Sequence, residues 1–143
     1  MNIYAHRGLF DNKNIVENTI PAFKKALKDD LNIELDIRLT KDKKIVVFHD
    51  NNIKRLTGID RLVRDMTYDE LKVIKLLDTD DTIPLLEDVL KLINGRSILL
   101  IEIKELFSNS VLKELNKLLL DYNGKVLLQS FNPLVIRRIS LSS

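Results

Sequence analysis

Glu34 and Asp36 stand two residues apart in the run Ile33-Glu34-Leu35-Asp36-Ile37. In a strand, residues i and i+2 share a face, so the two carboxylates project together while Ile33, Leu35 and Ile37 pack on the other side. Side by side they repel unless a cation or a shared proton separates them. A lone Glu-x-Asp pair also describes the ordinary solvated edge of a strand. The other polar residues shift the balance. His6 and Arg7 follow a short apolar run, His49-Asp50 follows Val46-Val47-Phe48, Glu102 and Lys104 close the run Ile98 to Ile103, and Gln129 closes Val126 to Leu128.

Glu34, Asp36 and Glu102 form an all-oxygen donor set, which suits a hard divalent cation, Mg²⁺ or Ca²⁺. Arg7 and Lys104 suit an anionic oxygen, most simply a phosphate. His6 and His49, the only histidines of the chain, suit a general acid and a general base near neutral pH. Together these describe phosphodiester cleavage better than carbonyl or glycosyl chemistry. Individually each has a plainer reading: a hydrogen-bonded structural histidine for His6, an ion pair between Glu102 and Lys104, and a strand-end hydrogen bond for Gln129. Asp50 either orients His49 or caps a turn, and Arg55 reads as a solvated loop charge.

The elements that must position these residues follow from periodicity and stop signals. Asn2 to Ala5, Asn32 to Leu39, Lys44 to Phe48, Ser97 to Ile103 and Val126 to Leu128 read as five strands. Helices are expected over Thr19 to Asp29, with Pro21 in its first turn, over Thr67 to Leu77 behind a Thr-x-x-Glu capping box, over Pro84 to Ile93 before Asn94-Gly95, and over Ser110 to Tyr122. A last helix is expected from Asn132-Pro133. Alternating strands and helices argue an α/β fold with a largely parallel sheet, and unalternating strands such as Ile98 to Ile101 fit a sheet covered on both faces. In such sheets the C-terminal strand ends share one rim, where active sites form. About six residues around Thr40 to Lys44 join the second and third strands, too few for a parallel crossover, so an irregular return is expected there.

The 143 residues suffice for a single domain with a real core, 1–143. A net charge of +2 with interspersed signs gives no case for a nucleic-acid surface. With no cysteine, disulfides and thiolate metal sites are excluded. No charged-then-apolar leader and no apolar run near the length of a membrane span is seen, so a cytoplasmic protein is the default expectation.

The order of these stretches resembles the glycerophosphodiester phosphodiesterase family. The matching residues are His6-Arg7-Gly8, Glu17-Asn18-Thr19 with Ala22-Phe23, Glu34-Leu35-Asp36-Ile37, Thr40-Lys41-Asp42 and Val46-Val47-Phe48-His49-Asp50, then Ile83-Pro84-Leu85-Leu86-Glu87, Glu102-Ile103-Lys104 and Gln129-Ser130-Phe131. The resemblance implies a TIM-type (β/α) barrel that hydrolyses glycerophosphodiesters to glycerol 3-phosphate and an alcohol with a divalent cation. It implies His6 and His49 as the acid/base pair, Glu34, Asp36 and Glu102 as metal ligands, and Arg7 and Lys104 as phosphate ligands. Glu17 would lie near the metal or orient its loop. One histidine would take a proton from the substrate's glycerol hydroxyl as it attacks phosphorus. The other would protonate the departing alcohol, and water would open the cyclic phosphate.

Two departures stand out. Lys43 occupies a position where the family usually has glycine. A full barrel needs roughly 250 residues and eight strands, so a chain with about five strands reads as a truncated barrel, short by about three strand–helix units. Apolar edges would be left at the first and last strands. Three outcomes stay open: the chain is a fragment of a longer protein, it completes itself by pairing with another copy or chain, which makes a homo-oligomer one expectation, or its strands close differently and leave a damaged site. A metal- and phosphate-binding module without turnover is the alternative function.

Overall fold

A computed structural model describes residues 3–130. The strand residue Asn2, the matching Phe131 and the expected final helix from Asn132 lie outside the described residues. The elements run β1 (Tyr4–His6), α1 (Ile20–Lys28), β2 (Asn32–Leu39), β3 (Ile45–Val47), α2 (Lys54–Thr57), α3 (Tyr68–Leu71), α4 (Leu86–Ile93), β4 (Leu99–Ile103), α5 (Asn109–Leu120) and β5 (Val126–Ser130).

Four strands run parallel in the order β1-β2-β4-β5, leaving β1 and β5 at the edges of the described sheet. Their odd-numbered β2 and β4 residues, Ile33, Leu35, Ile37, Leu99, Ile101 and Ile103, are buried with Phe23 and Ala26 of α1, Val89 and Ile93 of α4, and Val111 and Leu115 of α5. The helices therefore cover one face, and alternation sends Glu34, Asp36 and Glu102 to the other. The expectation of a sheet covered on both faces is corrected here. On the face away from the helices Leu100 is only half-buried, and Leu127 is exposed.

The link between β2 and β3 resolves into a tight hairpin, and β3 runs antiparallel to β2, pairing Ile37 with Val47 and Leu39 with Ile45. Lys44 N–H donates to the Thr40 side-chain hydroxyl Oγ1 at 2.9 Å, Thr40 N–H donates to the Lys44 carbonyl at 3.0 Å, and Lys43 takes φ 65°. A left-handed residue is where glycine has no Cβ to strain, which accounts for the family's usual residue and leaves Lys43 strained. Among the described residues there are five strands, of which four run in the direction of a barrel wall.

Residues 48–85 form a lobe of their own beside β3. Val46 and Phe48 join Val16, Ile53, Leu56, Val63, Met66, Leu71, Leu76 and Ile83 in a second core, while Ile45 and Val47 belong to the first. That explains why β3 is apolar on both faces. The helix expected over Thr67 to Leu77 shrinks to the single turn of α3. Its capping box forms, with Thr67 Oγ1 accepting from Glu70 N–H. The β-branched Val73 and Ile74 then follow, and Leu77 takes φ 50° with its N–H on the Leu56 carbonyl, so the chain is drawn into the lobe core. Among the described residues no helix is long and apolar enough to cross a membrane.

Candidate active site

Register sets the site. His6 pairs with Glu34, Asp36 with Glu102, and Glu102 with Gln129. One oxygen from each of Glu34, Asp36 and Glu102 lies within 4.8 Å of the other two. Burial, and then the neighbouring Asp36 charge, push the Glu34 carboxyl up to about 8. Burial raises Asp36 as well, against the hydrogen bond that Asn18 Nδ2 donates to its Oδ2 at 3.1 Å. Asp36 Oδ1 is buried with no hydrogen-bond partner among the described residues. Three crowded carboxylates, two of them reluctant to ionise and one with an orphaned oxygen, are a donor set that a divalent cation fits.

Cations ring the cluster. Lys104 Nζ lies 3.4 Å from Glu102 Oε1, and Arg7 Nε lies 3.6 Å from Asp36 Oδ2. Arg7 follows β1 at φ 59° and Gly8 at φ 80°. A Cβ on Gly8 would stand 2.8 Å from Ala22 Cβ, so only glycine lets α1 approach this turn. The turn aims Arg7 Nη1 at Glu17 Oε2, 3.0 Å away.

His6 is the more open histidine, with its Nε2 3.7 Å from Glu34 Oε1. His49 reaches the rim by a route different from the expected parallel strand end. It follows the antiparallel β3, whose Phe48 N–H donates to the Asp36 carbonyl at 3.0 Å, so His49 descends to the level of Asp36 from beyond the rim. His49 Nδ1 lies 2.8 Å from Asp50 Oδ1. Burial alone would raise the Asp50 carboxyl, but hydrogen bonds from Arg55 and His49 outweigh it and hold it at about 2. An ionised Asp50 accepts, so Nδ1 carries the proton and Nε2 is the free ring atom.

Arg55, read from sequence as a solvated charge, is corrected by the structure. Its Nη1 and Nη2 donate to the two oxygens of buried Glu17 at 2.9 and 2.8 Å, and its Nε donates to Asp50 Oδ2 at 2.8 Å. Glu17 is therefore the hub of a chain running from His49 through Asp50, Arg55 and Glu17 to Arg7. Gln129 is exposed beside Glu102, with no side-chain hydrogen bond among the described residues. Sequence reasoning missed Arg38, whose Nε donates to the His49 carbonyl at 2.8 Å. Its position two residues beyond Asp36 on one strand face was the available signal.

A sequence profile of the glycerophosphoryl diester phosphodiesterase family matches residues 6–142. The chain belongs to this family. A curated glycerophosphodiester phosphodiesterase from Caldanaerobacter subterraneus is 38% identical, over 96% of this chain and 60% of that protein. A crystal structure of a glycerophosphodiester phosphodiesterase from Thermotoga maritima superposes with a TM-score of 0.79 at 35% identity, over 95% of this chain and 57% of the other. An Oleispira antarctica phosphodiesterase, solved in complex with the product sn-glycerol-3-phosphate, shares the fold with a TM-score of 0.83 at 24% identity, over 99% of this chain and 60% of that one. The chain thus spans about 60% of the length of these relatives, and its α/β sheet is a truncated TIM-type barrel wall.

Proposed function

We propose that residues 1–143 form the N-terminal portion of a glycerophosphodiester phosphodiesterase barrel, and that its rim cleaves glycerophosphodiesters to glycerol 3-phosphate and an alcohol. The observation that carries the reading is the convergence of Glu34, Asp36 and Glu102 within 4.8 Å, beside Arg7 and Lys104 and below two histidines. The product named for the Oleispira relative supports the substrate class.

Glu34, Asp36 and Glu102 would hold a divalent cation, Mg²⁺ or Ca²⁺, which when bound neutralises charge on the phosphoryl oxygens. Arg7 and Lys104 lie next to those carboxylates and bind the remaining phosphate oxygens. His49 exchanges its proton at Nε2, because Asp50 keeps Nδ1–H engaged. His6, open to solvent, exchanges its proton from beside Glu34. One histidine takes the proton of the attacking glycerol hydroxyl while the other protonates the departing alcohol oxygen, and water then opens the cyclic phosphate with the roles reversed. Glu17 and Asp50 position this machinery through Arg55, and Gln129 stands beside Glu102 in register.

The test is release of glycerol 3-phosphate from glycerophosphocholine by the 143-residue chain, with Mg²⁺ or Ca²⁺ and with EDTA. Release that requires the cation and falls by about 10²-fold or more in His6→Ala and His49→Ala is expected. Release that survives EDTA, or near-normal turnover in either variant, overturns the assignment. The position of β1 and β5 at the two ends of the described sheet favours one alternative, a module that binds without turnover until a second copy or another chain closes the barrel. Binding of glycerol 3-phosphate by a folded chain that releases none from the diester selects that alternative.

A further inference from the structure

A cation-rich groove opens beside the carboxylate cluster. It encloses about 240 Å³ and is lined by Arg38, Asn51, Leu62, Arg64, Lys104 and Glu105. With Lys104 paired to Glu102, Arg38 and Arg64 against Glu105 leave this groove with an excess of one positive charge.

Arg38 shares the strand face of Glu34 and Asp36 and stands roughly 7 Å beyond Asp36 along β2. It is only 8% exposed. Its Nε is used by the His49 carbonyl, and its Nη1 reaches Glu105 Oε2 at 3.5 Å, a long contact. The other Glu105 oxygen is taken by Leu39 N–H at 2.6 Å. Among the described residues Nη2 donates to no acceptor. Besides Glu105, the charges of Asp50 and Asp36 also act on this guanidinium, and its Nη2 is left to take an anion entering the groove. Arg38 also lines a wider groove with His49, Lys54 and Arg55, so it faces the route by which a substituent would leave the rim. Arg64, on the turn Val63–Asp65 across the narrower groove, is exposed and has no carboxylate partner among the described residues.

Neither arginine is needed for the reacting phosphate, which Arg7 and Lys104 address. Glycerol phosphate is common to every glycerophosphodiester, so a second anion has to belong to the alcohol. We propose that Arg38 and Arg64 form a second anion subsite that binds a phosphate carried by the alcohol of a glycerophosphodiester, so that this rim prefers diesters with a phosphorylated alcohol. The inference rests on the function proposed above.

The test compares two probes, glycerophosphoglycerol and the same diester with a terminal phosphate on its alcohol. Both are titrated calorimetrically into the full chain with Mg²⁺, in a His6→Ala background so that the probes survive. The readout is the ratio of their affinities. Arginine–phosphate hydrogen bonds predict that the terminal phosphate tightens binding about tenfold or more. The ratio should fall below about threefold in Arg64→Gln and in Arg38→Gln, and should persist in Lys113→Gln, which removes an equal charge from the exposed side of α5. A ratio near one, or an equal fall in Lys113→Gln, overturns the subsite while leaving the hydrolase reading standing. If neither probe binds, both readings fail together.

Discussion

Replacing Arg55 with alanine removes the clamp between the β3 lobe and the loop that carries Glu17. The Glu17 side chain is 1% exposed. Without Arg55 it keeps only Arg7 Nη1 and Asn12 Nδ2, each at 3.0 Å. Breaking a buried pair from one side costs about 3–5 kcal/mol. The Arg55 side chain is 43% exposed, so water screens part of that, and two donors remain. We therefore expect a loss of about 2–3 kcal/mol, or a Tm lower by roughly 6–9 °C for a chain of this size. Urea unfolding followed by circular dichroism measures it. Glu17→Gln supplies a double-mutant cycle, in which the pair should couple by about 1–2 kcal/mol. Acid gives an independent reading. Burial would raise the Glu17 carboxyl, but the Arg55 hydrogen bonds hold it below its ordinary value of 4.5. Its contribution is therefore present above pH 4.5 and lost as pH falls through its folded value, so the acid loss should be smaller in Arg55→Ala. A stability change under about 0.5 kcal/mol, with an unaltered acid limb, would refute the clamp.

Four further expectations follow from the site and its turns. Mg²⁺ or Ca²⁺ at about a hundred times its Kd should stabilise the protein by about 2.7 kcal/mol and do little for Asp36→Asn, read by thermal unfolding. In EDTA, a Glu34 carboxyl raised to about 8 means that stability should fall as pH climbs from 4.5 to about 8 and level off above, a slope that saturating cation should reduce. Gly8→Ala places a side chain at φ 80° with its Cβ 2.8 Å from that of Ala22 and should cost about 2–4 kcal/mol in urea unfolding. Lys43→Gly should instead gain about 0.5–1 kcal/mol, because it relieves a left-handed lysine in the hairpin turn.

Much of the site was legible because it is written locally. Alternation in β2 put Glu34 and Asp36 on one face, and an apolar run broken only by Glu102 marked β4, so the three carboxylates could be named before any geometry. The strands and the longer helices were found within a few residues, since each carries its own period and stop signal. The network around Glu17 was not legible in the same way. Asn18, Arg38 and Arg55 are single polar residues whose partners lie 18, 11 and 38 positions away. Nothing local separates Arg55 from any other loop cation.

The direction of β3 marks the boundary between the two kinds of information. Ile45 to Phe48 declares itself a buried strand by composition, but composition is the same read either way. Pairing decides the direction: a five-residue turn with Lys43 at φ 65° brings the chain back along β2, and that return delivers His49 to Asp36. By itself the sequence determined the donor types, the strand faces they occupy and the family to which they belong, because periodicity and side-chain chemistry act over a few residues. Only tertiary structure decided which cation meets which carboxylate, which histidine nitrogen is free and where positive charge is left over. Those depend on distances between segments far apart in the chain, and on the burial that makes a buried charge depend on its partner.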